Sequence, residues 1–302
     1  MLRPDLKKRS TLISIVGGVS GLFLLLFVLT PPVWTLKHGT ISLVRWPKSG
    51  QQTFEVGPGQ ANWVPIKTVS HHVINAIVVA EDARFYEHFG LDLREIRSSI
   101  EFNMEQKRYA RGASTITQQV VKMAFLGSDK NLLRKTREAL GALLLEQLLD
   151  KEQILEWYIN LVEFGDGVFG IKAAAVHFFE TTPELLTIQD GAHLALVLPS
   201  PNRWSKGLRQ KELTTFGHKR YSQIIEEMYK QGFITEPLRK SALATGDFGR
   251  PIEGYEPEQE ANEGGIYIDL PGNEPPPFGH KEQKRRPKAD ITHPLKRAAP
   301  RP

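Results

Sequence analysis

The feature that most constrains this chain is a long uncharged segment near its N-terminus. No ionisable side chain occurs between Ser10 and Leu36, and residues 11–34 are long and apolar enough for a helix to cross the roughly 30 Å hydrocarbon core of a bilayer. Four basic residues and one acidic residue precede this segment. The positive-inside rule therefore predicts that residues 1–10 are cytoplasmic and that the rest of the chain lies outside. A cleaved signal peptide is the alternative, although its apolar region is usually shorter.

The net charge of +5 is concentrated at the other end of the chain. Residues 281–302 carry eight Lys or Arg and two acidic residues, a net charge of +6, so the rest of the chain sums to −1. A basic nucleic-acid-binding body is therefore not expected. The sequence has no cysteine, which excludes a disulfide scaffold, a zinc-thiolate site and a thiol nucleophile.

The C-terminal residues 251–302 are predicted to be a disordered tail. They hold ten of the twenty prolines, show no helical or strand period, and carry an acidic stretch followed by a basic one. Such a segment buries too little apolar surface to offset its ordering entropy. The basic end could contact an anionic polymer or lipid headgroups, or it could have no partner, and the sequence leaves both readings open.

Between the two ends, residues 61–250 are predicted to form a mainly α-helical domain, joined to the membrane segment by a linker over residues 35–60. A capping box at Asp150 precedes apolar residues at helical spacing. Thr182 followed by proline predicts another helix start, and the apolar run 188–198 ends before Pro199. A further helix is predicted over residues 132–150.

Three polar clusters interrupt this helical body. In the first, Glu81 and Asp82 follow an apolar run. Adjacent carboxylates at the end of a helix are usually solvated, but a carboxylate that is desolvated there has a raised pKa and can serve as a general base.

The second cluster, residues 111–122, places six hydrogen-bonding side chains after a glycine. A helix start of this kind can present free amides to a hydroxyl-rich or phosphorylated ligand, or it can be an ordinary polar helix start. The third cluster runs from Lys130 to Glu138, with Arg134 and Lys135 on the helix face of Glu138. That spacing also fits plain intrahelical ion pairs, which contribute only a few tenths of a kcal/mol.

The clusters follow the order of five known motifs. These are E-D-x-x-F-x-x-H-x-G at 81–90, G-[GA]-S-T-I-T-Q-Q at 112–119, R-K-x-x-E at 134–138, I-L-E-x-Y-x-N at 154–160 and A-A-x-x-F-F at 174–179. Over roughly residues 65 to 230 the chain resembles the peptidoglycan glycosyltransferases, which occur in bifunctional penicillin-binding proteins and as monofunctional biosynthetic transglycosylases. Two departures are small: Ala113 stands where glycine is usual, and Lys130 where arginine is common.

The resemblance implies a mainly α, lysozyme-like, two-lobed glycosyltransferase domain with an N-terminal transmembrane helix. It implies that Glu81 is the general base, that Asp82 supports it and belongs to the substrate-binding residues, and that Glu138 is a second catalytic glutamate, which orients or stabilises the donor. The residues implied to line the glycan and phosphate cleft are Gly112, Ser114, Thr115, Gln118 and Gln119. The residues implied to bind the donor pyrophosphate are Lys122, Lys130 and Arg134.

The implied reaction is polymerisation of lipid II by inverting attack of an acceptor 4-hydroxyl, with release of undecaprenyl pyrophosphate. The implied location is the outer face of a bacterial cytoplasmic (inner) membrane. Expected partners are lipid II, the growing glycan strand, the membrane and other cell-wall synthesis proteins, but no nucleic acid. No cofactor is certain. A divalent cation, Mg²⁺ or Mn²⁺, could bind through Asp82 or with the substrate pyrophosphate, whereas the pair His71-His72 is expected to be solvated.

Two other functions stay open at this stage. A lytic transglycosylase or muramidase on a related fold would need an acid to protonate a sugar leaving group, whereas a pyrophosphate leaving group needs the cations that crowd the third cluster. A catalytically inactive, membrane-tethered scaffold would not need the two glutamates and the basic residues, all of which are present. No S-x-x-K tetrad occurs, so we expect the monofunctional type without transpeptidase activity.

Overall fold

The computed structural model describes residues 14, 15, 17, 18, 21, 29–37, 39–45, 47, 50–106, 112–127, 131–245 and 248. Lys130, most of the predicted membrane segment 11–34 and the whole predicted tail 251–302 lie outside these residues. Within the described part of the chain, no helix is both long enough and apolar enough to cross a membrane.

The described part of the chain is mainly α-helical, which confirms the predicted fold class at that level. Its helices after residue 61 are α1 (His71–Glu81), α2 (Leu93–Glu105), α3 (Ile116–Phe125), α4 (Leu132–Leu148), α5 (Lys151–Leu161), α6 (Gly170–Phe179), α7 (Ile188–Val197), α8 (Pro201–Gln210), α9 (Thr215–Lys230) and α10 (Glu236–Thr245). Two antiparallel hairpins are formed by β1 (Ile41–Arg45) with β2 (Gln52–Val56), and by β3 (Glu163–Gly165) with β4 (Val168–Phe169). Short 3₁₀ helices occur at Val33–Lys37, Ile66–Thr68 and Pro183–Leu185.

The core forms where α1 packs against α7 and α9, and where α3 packs against α4 and α5. Helix α1 is apolar on most of its surface, so burial between neighbouring helices is the arrangement that removes that surface from water. Gly191 on α7 allows the closest approach, because a Cβ atom there would lie 3.0 Å from the Cα of Val73. The C-terminal end of α1 is thereby fixed in the interior.

The helix starts were predicted with mixed success. The capping box at Asp150 is confirmed, with both reciprocal hydrogen bonds to Gln153 present. The start predicted at Thr182 is wrong for an α-helix: only a 3₁₀ turn follows, and Thr182 makes no side-chain capping hydrogen bond. Helix α7 begins later, after a second capping box formed by Thr187 and Asp190. Of the two possible N-caps five residues apart, Thr187 starts the α-helix because it forms a complete capping box and Thr182 does not.

The predicted linker over residues 35–60 differs from the observed structure, because this segment folds onto the helical body. Val33 and Leu36 are buried in the core, and hairpin β1–β2 contributes Leu43 and Val56 to it. Backbone carbonyls also tie the segment down: Arg137 Nε donates to the oxygen of residue 29 at 3.0 Å, and the Trp157 indole donates to that of Leu36 at 3.0 Å. Residues 29–36 therefore belong to the folded body.

Candidate active site

The described part of the chain contains a cleft with a volume of about 1660 Å³. Its walls are the C-terminal end of α1 with the turn that follows it, the segment 112–115 before α3, and one face of α9. Glu81, Asp82, Gly112, Ser114 and Thr115 line it. The first two sequence clusters, which are separated in the chain by residues 91–110, therefore meet at one opening.

Glu81 is the last residue of α1, and its carboxylate is largely enclosed at this opening. Burial is the main reason that its pKa is raised. Gln119 opposes the rise by donating a hydrogen bond from Nε2 to Glu81 Oε2 at 2.9 Å. The nearby charges of Arg220 and Lys122 also lower the pKa, while that of Asp82 raises it further. The result is a carboxylate that can ionise but holds a proton more tightly than a solvated glutamate.

Asp82 lines the cleft, but its carboxylate is bound by groups of the protein. Its two carboxylate oxygens each lie 3.0 Å from His88 Nε2, and Oδ2 also accepts the backbone N–H of Ile116 at 3.0 Å. Only 8% of Asp82 is exposed. It therefore joins the end of α1 to the start of α3, a role that fits the predicted support of Glu81 better than direct substrate binding.

The start of α3 is capped from inside the protein. Thr115 and Gln118 form a capping box, and the Thr115 hydroxyl also donates to the carbonyl of Gly90 at 2.7 Å. Both side chains are nearly inaccessible. The amide of Ile116 is bound by Asp82 and that of Gln118 by Thr115, so the expectation that this helix start offers free amides to an anion is wrong at these two positions. Direct ligand contact by Thr115 and Gln118 stays a prediction.

The third cluster surrounds one buried carboxylate. Glu138 is 2% exposed and pairs with Arg134 and, at 2.8 Å, with Lys135. Lys135 Nζ also donates to the hydroxyl of Ser114 at 2.7 Å, which connects the cluster to the cleft wall. The predicted helix-face pairing is confirmed, but its burial distinguishes it from a solvated surface pair.

Positive charge exceeds negative charge in this cluster. Burial, together with the charges of Lys122 and Arg134, lowers the pKa of Lys135 to about 8. Burial and Arg134 likewise lower the pKa of Lys122, which Glu81 partly offsets. Lys122, Arg134 and Lys135 are therefore neighbouring cations, of which only Arg134 and Lys135 pair with Glu138, and an anion with more than one charge would relieve their mutual repulsion.

Sequence reasoning missed two residues of the site. Lys135 was identified only as a partner of Glu138, although its bond to Ser114 brings it to the cleft. Arg220 on α9 lines the cleft, donates to the carbonyl of Ala80 at 3.1 Å, and acts electrostatically on Glu81. No motif marked Arg220, because it lies 139 positions after Glu81 in the sequence. The predicted site residue Lys130 lies outside the described residues.

The site residues do not fit a protein-bound divalent cation. Both oxygens of Asp82, the ligand considered from the sequence, are already committed to His88 and Ile116. Among the residues that the structure describes, no group of three or more His, Asp or Glu side chains is arranged to hold a metal ion. No chemical step is therefore assigned to a metal here.

Comparison with known proteins agrees with this geometry. A model of the transglycosylase family matches residues 49–229. A biosynthetic peptidoglycan transglycosylase of Aeromonas hydrophila subsp. hydrophila is 35% identical over 241 residues, which cover 78% of this chain and 97% of that protein. One from Dechloromonas aromatica is 37% identical over 212 residues (64% of this chain, 88% of the relative), and one from Pseudomonas syringae pv. syringae is 44% identical over 146 residues (48% and 61%). With the family match spanning more than half of its length, the chain belongs to the transglycosylase family.

Proposed function

We propose that this protein is a peptidoglycan glycosyltransferase that polymerises lipid II into glycan strands. The observation that carries the proposal is an enclosed carboxylate at the cleft together with a cluster of cations that is hydrogen-bonded to the cleft wall. Glu81 lies at the opening, and Lys135 reaches the same wall through Ser114. A base for an attacking hydroxyl and a positive site for an anionic leaving group are the two requirements of glycosyl transfer from a pyrophosphate donor.

Glu81 is the general base in this proposal. It removes the proton of the acceptor 4-hydroxyl while that oxygen attacks the anomeric carbon of the donor sugar. The new glycosidic bond forms as the bond to pyrophosphate breaks, and the configuration at the anomeric carbon inverts. A pKa raised by burial strengthens the base, and the amide of Gln119 holds the carboxylate in place while it is ionised.

The cations stabilise the departing undecaprenyl pyrophosphate. Lys122, Arg134 and Lys135 act on the charge that grows on the leaving group, so their contribution is larger in the transition state than in the ground state. Glu138 holds Arg134 and Lys135 in one orientation. The role assigned to Glu138 is therefore to arrange the donor site, in line with the family resemblance, and not to react with the sugar.

The same arrangement weighs against a lytic enzyme. A retaining muramidase needs a second carboxylate that is free to attack the sugar, and an inverting one needs a second carboxylate that activates water. Glu138 is the other buried glutamate of the cluster, and two cations occupy it. A sugar leaving group would also gain little from three cations. An inactive scaffold is disfavoured because the contacts expected of a working site are present: Gln119 hydrogen-bonds Glu81, and Lys135 hydrogen-bonds Glu138.

Further parts of the proposal rest on the sequence alone. They are a two-lobed lysozyme-like shape, a membrane anchor in the part of the predicted segment 11–34 that precedes residue 29, a catalytic domain on the outer face of a bacterial cytoplasmic membrane, and the absence of transpeptidase activity. The lipid-linked donor supports the membrane location, because its prenyl chain confines the reaction to the bilayer surface. Contacts with other cell-wall synthesis proteins are proposed on the same basis.

A direct assay tests this function. Purified protein in detergent or liposomes is incubated with labelled lipid II, and polymer and undecaprenyl pyrophosphate are measured, with moenomycin, the inhibitor known for the family, as a control. We expect moenomycin-sensitive polymer formation. Lack of polymer under these conditions would contradict the proposal, and shortening of preformed glycan strands would favour the lytic alternative.

A further inference from the structure

The turn that follows Glu81 has few regular hydrogen bonds of its own, although it fixes one end of the catalytic carboxylate's helix. Residues 83–90 form turns and bends rather than a helix or strand. Phe85 at its centre is fully buried. Gly90 at its end adopts a φ of +78°, and a Cβ atom there would lie 2.9 Å from the carbonyl oxygen of Ala142. Such a turn depends on bonds from other elements to keep its shape.

Lys151, the first residue of α5, makes two contacts with this turn. Its Nζ donates to the carbonyl of His88 at 2.8 Å and lies 4.3 Å from the ring centre of Phe85. The same ammonium group pairs with Glu146 Oε1 at 2.7 Å. One cation thus contacts the backbone and the core aromatic ring of the turn, and its charge is balanced by a glutamate of α4.

Glu146 extends the same set of bonds to α3. Its side chain is 3% exposed, and its Oε1 accepts the hydroxyl of Thr117 on α3 at 2.6 Å. Thr117 lies two residues before Gln119, the residue that hydrogen-bonds Glu81. None of the three side chains of Lys151, Glu146 and Thr117 lines the cleft. This group of three residues is named the sub-site network below.

We infer that Lys151 and Glu146 are positioning residues for the catalytic base: they hold the turn after Glu81 and the helix carrying Gln119 in fixed relation to each other. The inference rests on the proposed function. It follows from connectivity, since the sub-site network bonds to both chain segments that meet in the Glu81–Gln119 hydrogen bond. A displacement of about 1 Å in such a pair can cost on the order of 10²-fold in rate.

A purely structural ion pair would give a different result, and the chain offers a matched control. Arg239 has the same exposure as Lys151, with 21% of its side chain accessible. It also pairs with carboxylates, those of Glu226 and Glu236, and lies 5.1 Å from the ring centre of Tyr229. Arg239 is on α10 and has no bond to the turn 83–90 or to α3. Arg239→Met therefore removes a comparable cation without touching the sub-site network.

The test compares Lys151→Met, Lys151→Arg and Arg239→Met with the wild-type chain in lipid II polymerisation. We expect Lys151→Met to lower kcat by about 10- to 100-fold with KM changed less than about threefold. The acidic limb of its kcat–pH profile should move to higher pH, because a loosened Gln119 contact no longer stabilises the ionised Glu81. Lys151→Arg should recover most of the rate. Arg239→Met should keep kcat and the pH profile close to those of the wild type, even if its Tm falls as much as that of Lys151→Met.

The outcomes separate the inference from the function on which it rests. An inactive wild-type protein would overturn both. An active wild type, with Lys151→Met matching Arg239→Met in kcat and in pH profile, would overturn only the positioning role. If Lys151→Met does not fold, Thr117→Val answers the same question, because it removes one hydroxyl at nearly constant shape. A Thr117→Val protein with unchanged kcat and pH profile would also contradict the inference.

Discussion

Replacement of Asp82 separates its bonds within the protein from any contact with substrate. Its carboxylate accepts from the Ile116 amide and from His88 Nε2, each at 3.0 Å, with 8% of the residue exposed. A hydrogen bond to a charged group contributes about 1.5 to 3 kcal/mol, so Asp82→Ala should lower the free energy of unfolding by about 3 to 6 kcal/mol. At about 2 to 4 °C per kcal/mol for a body of this size, Tm should fall by at least about 6 °C.

The measurement pairs thermal unfolding in detergent with polymerisation rates taken well below Tm. Asp82→Asn is the informative companion, because its amide oxygen can still accept the Ile116 amide and should therefore lose less stability. The reasoning would be refuted by a Tm within about 2 °C of the wild type in Asp82→Ala together with abolished activity. That result would place Asp82 on the substrate, as the sequence motif alone suggested.

Three further predictions concern the cations and the start of the folded body. Lys122→Ala should lower kcat at saturating lipid II by about tenfold or more and weaken moenomycin binding in parallel. Lys130→Arg should keep nearly the wild-type activity. Unchanged moenomycin affinity in Lys122→Ala would show that Lys122 does not face the donor site. Because the pKa of Lys135 is lowered to about 8, it loses its charge as pH rises through 8, so moenomycin affinity should fall by about tenfold between pH 7 and 9, and a flat profile would contradict this. Deletion of residues 1–28 should preserve Tm and liposome binding. Deletion of residues 1–36 should lower the free energy of unfolding by about 3 kcal/mol or more, because it removes the buried side chains of Val33 and Leu36. Equal Tm values for the two deletion proteins would contradict this prediction.

Local features of the site were largely predictable from the sequence. The pairing of Arg134 and Lys135 with Glu138 follows from their spacing of four and three residues on one helix. The capping box at Asp150 follows from the residue types three positions apart. Both depend only on helix geometry within one or two turns, which the order of residues determines.

Contacts between distant segments could not be predicted in this way. The bond from Gln119 to Glu81 spans 38 residues, and the charge of Arg220 reaches Glu81 from another helix. Periodicity shows which face of a helix is apolar but not which neighbour covers it. The same limit explains why residues 35–60 were interpreted as a linker: hairpin β1–β2 is stable only because its inner face packs on helices that follow it in the chain.

The central claim is that Glu81 is the base for glycosyl transfer to an acceptor sugar. Its most direct test is the rate of undecaprenyl pyrophosphate release from lipid II by wild-type and Glu81→Gln proteins, measured side by side with their Tm values. The amide keeps the shape of the side chain and cannot accept the proton, so we expect a rate about 10² to 10⁴ lower in a folded variant. A folded Glu81→Gln protein that releases pyrophosphate at nearly the wild-type rate would contradict the account.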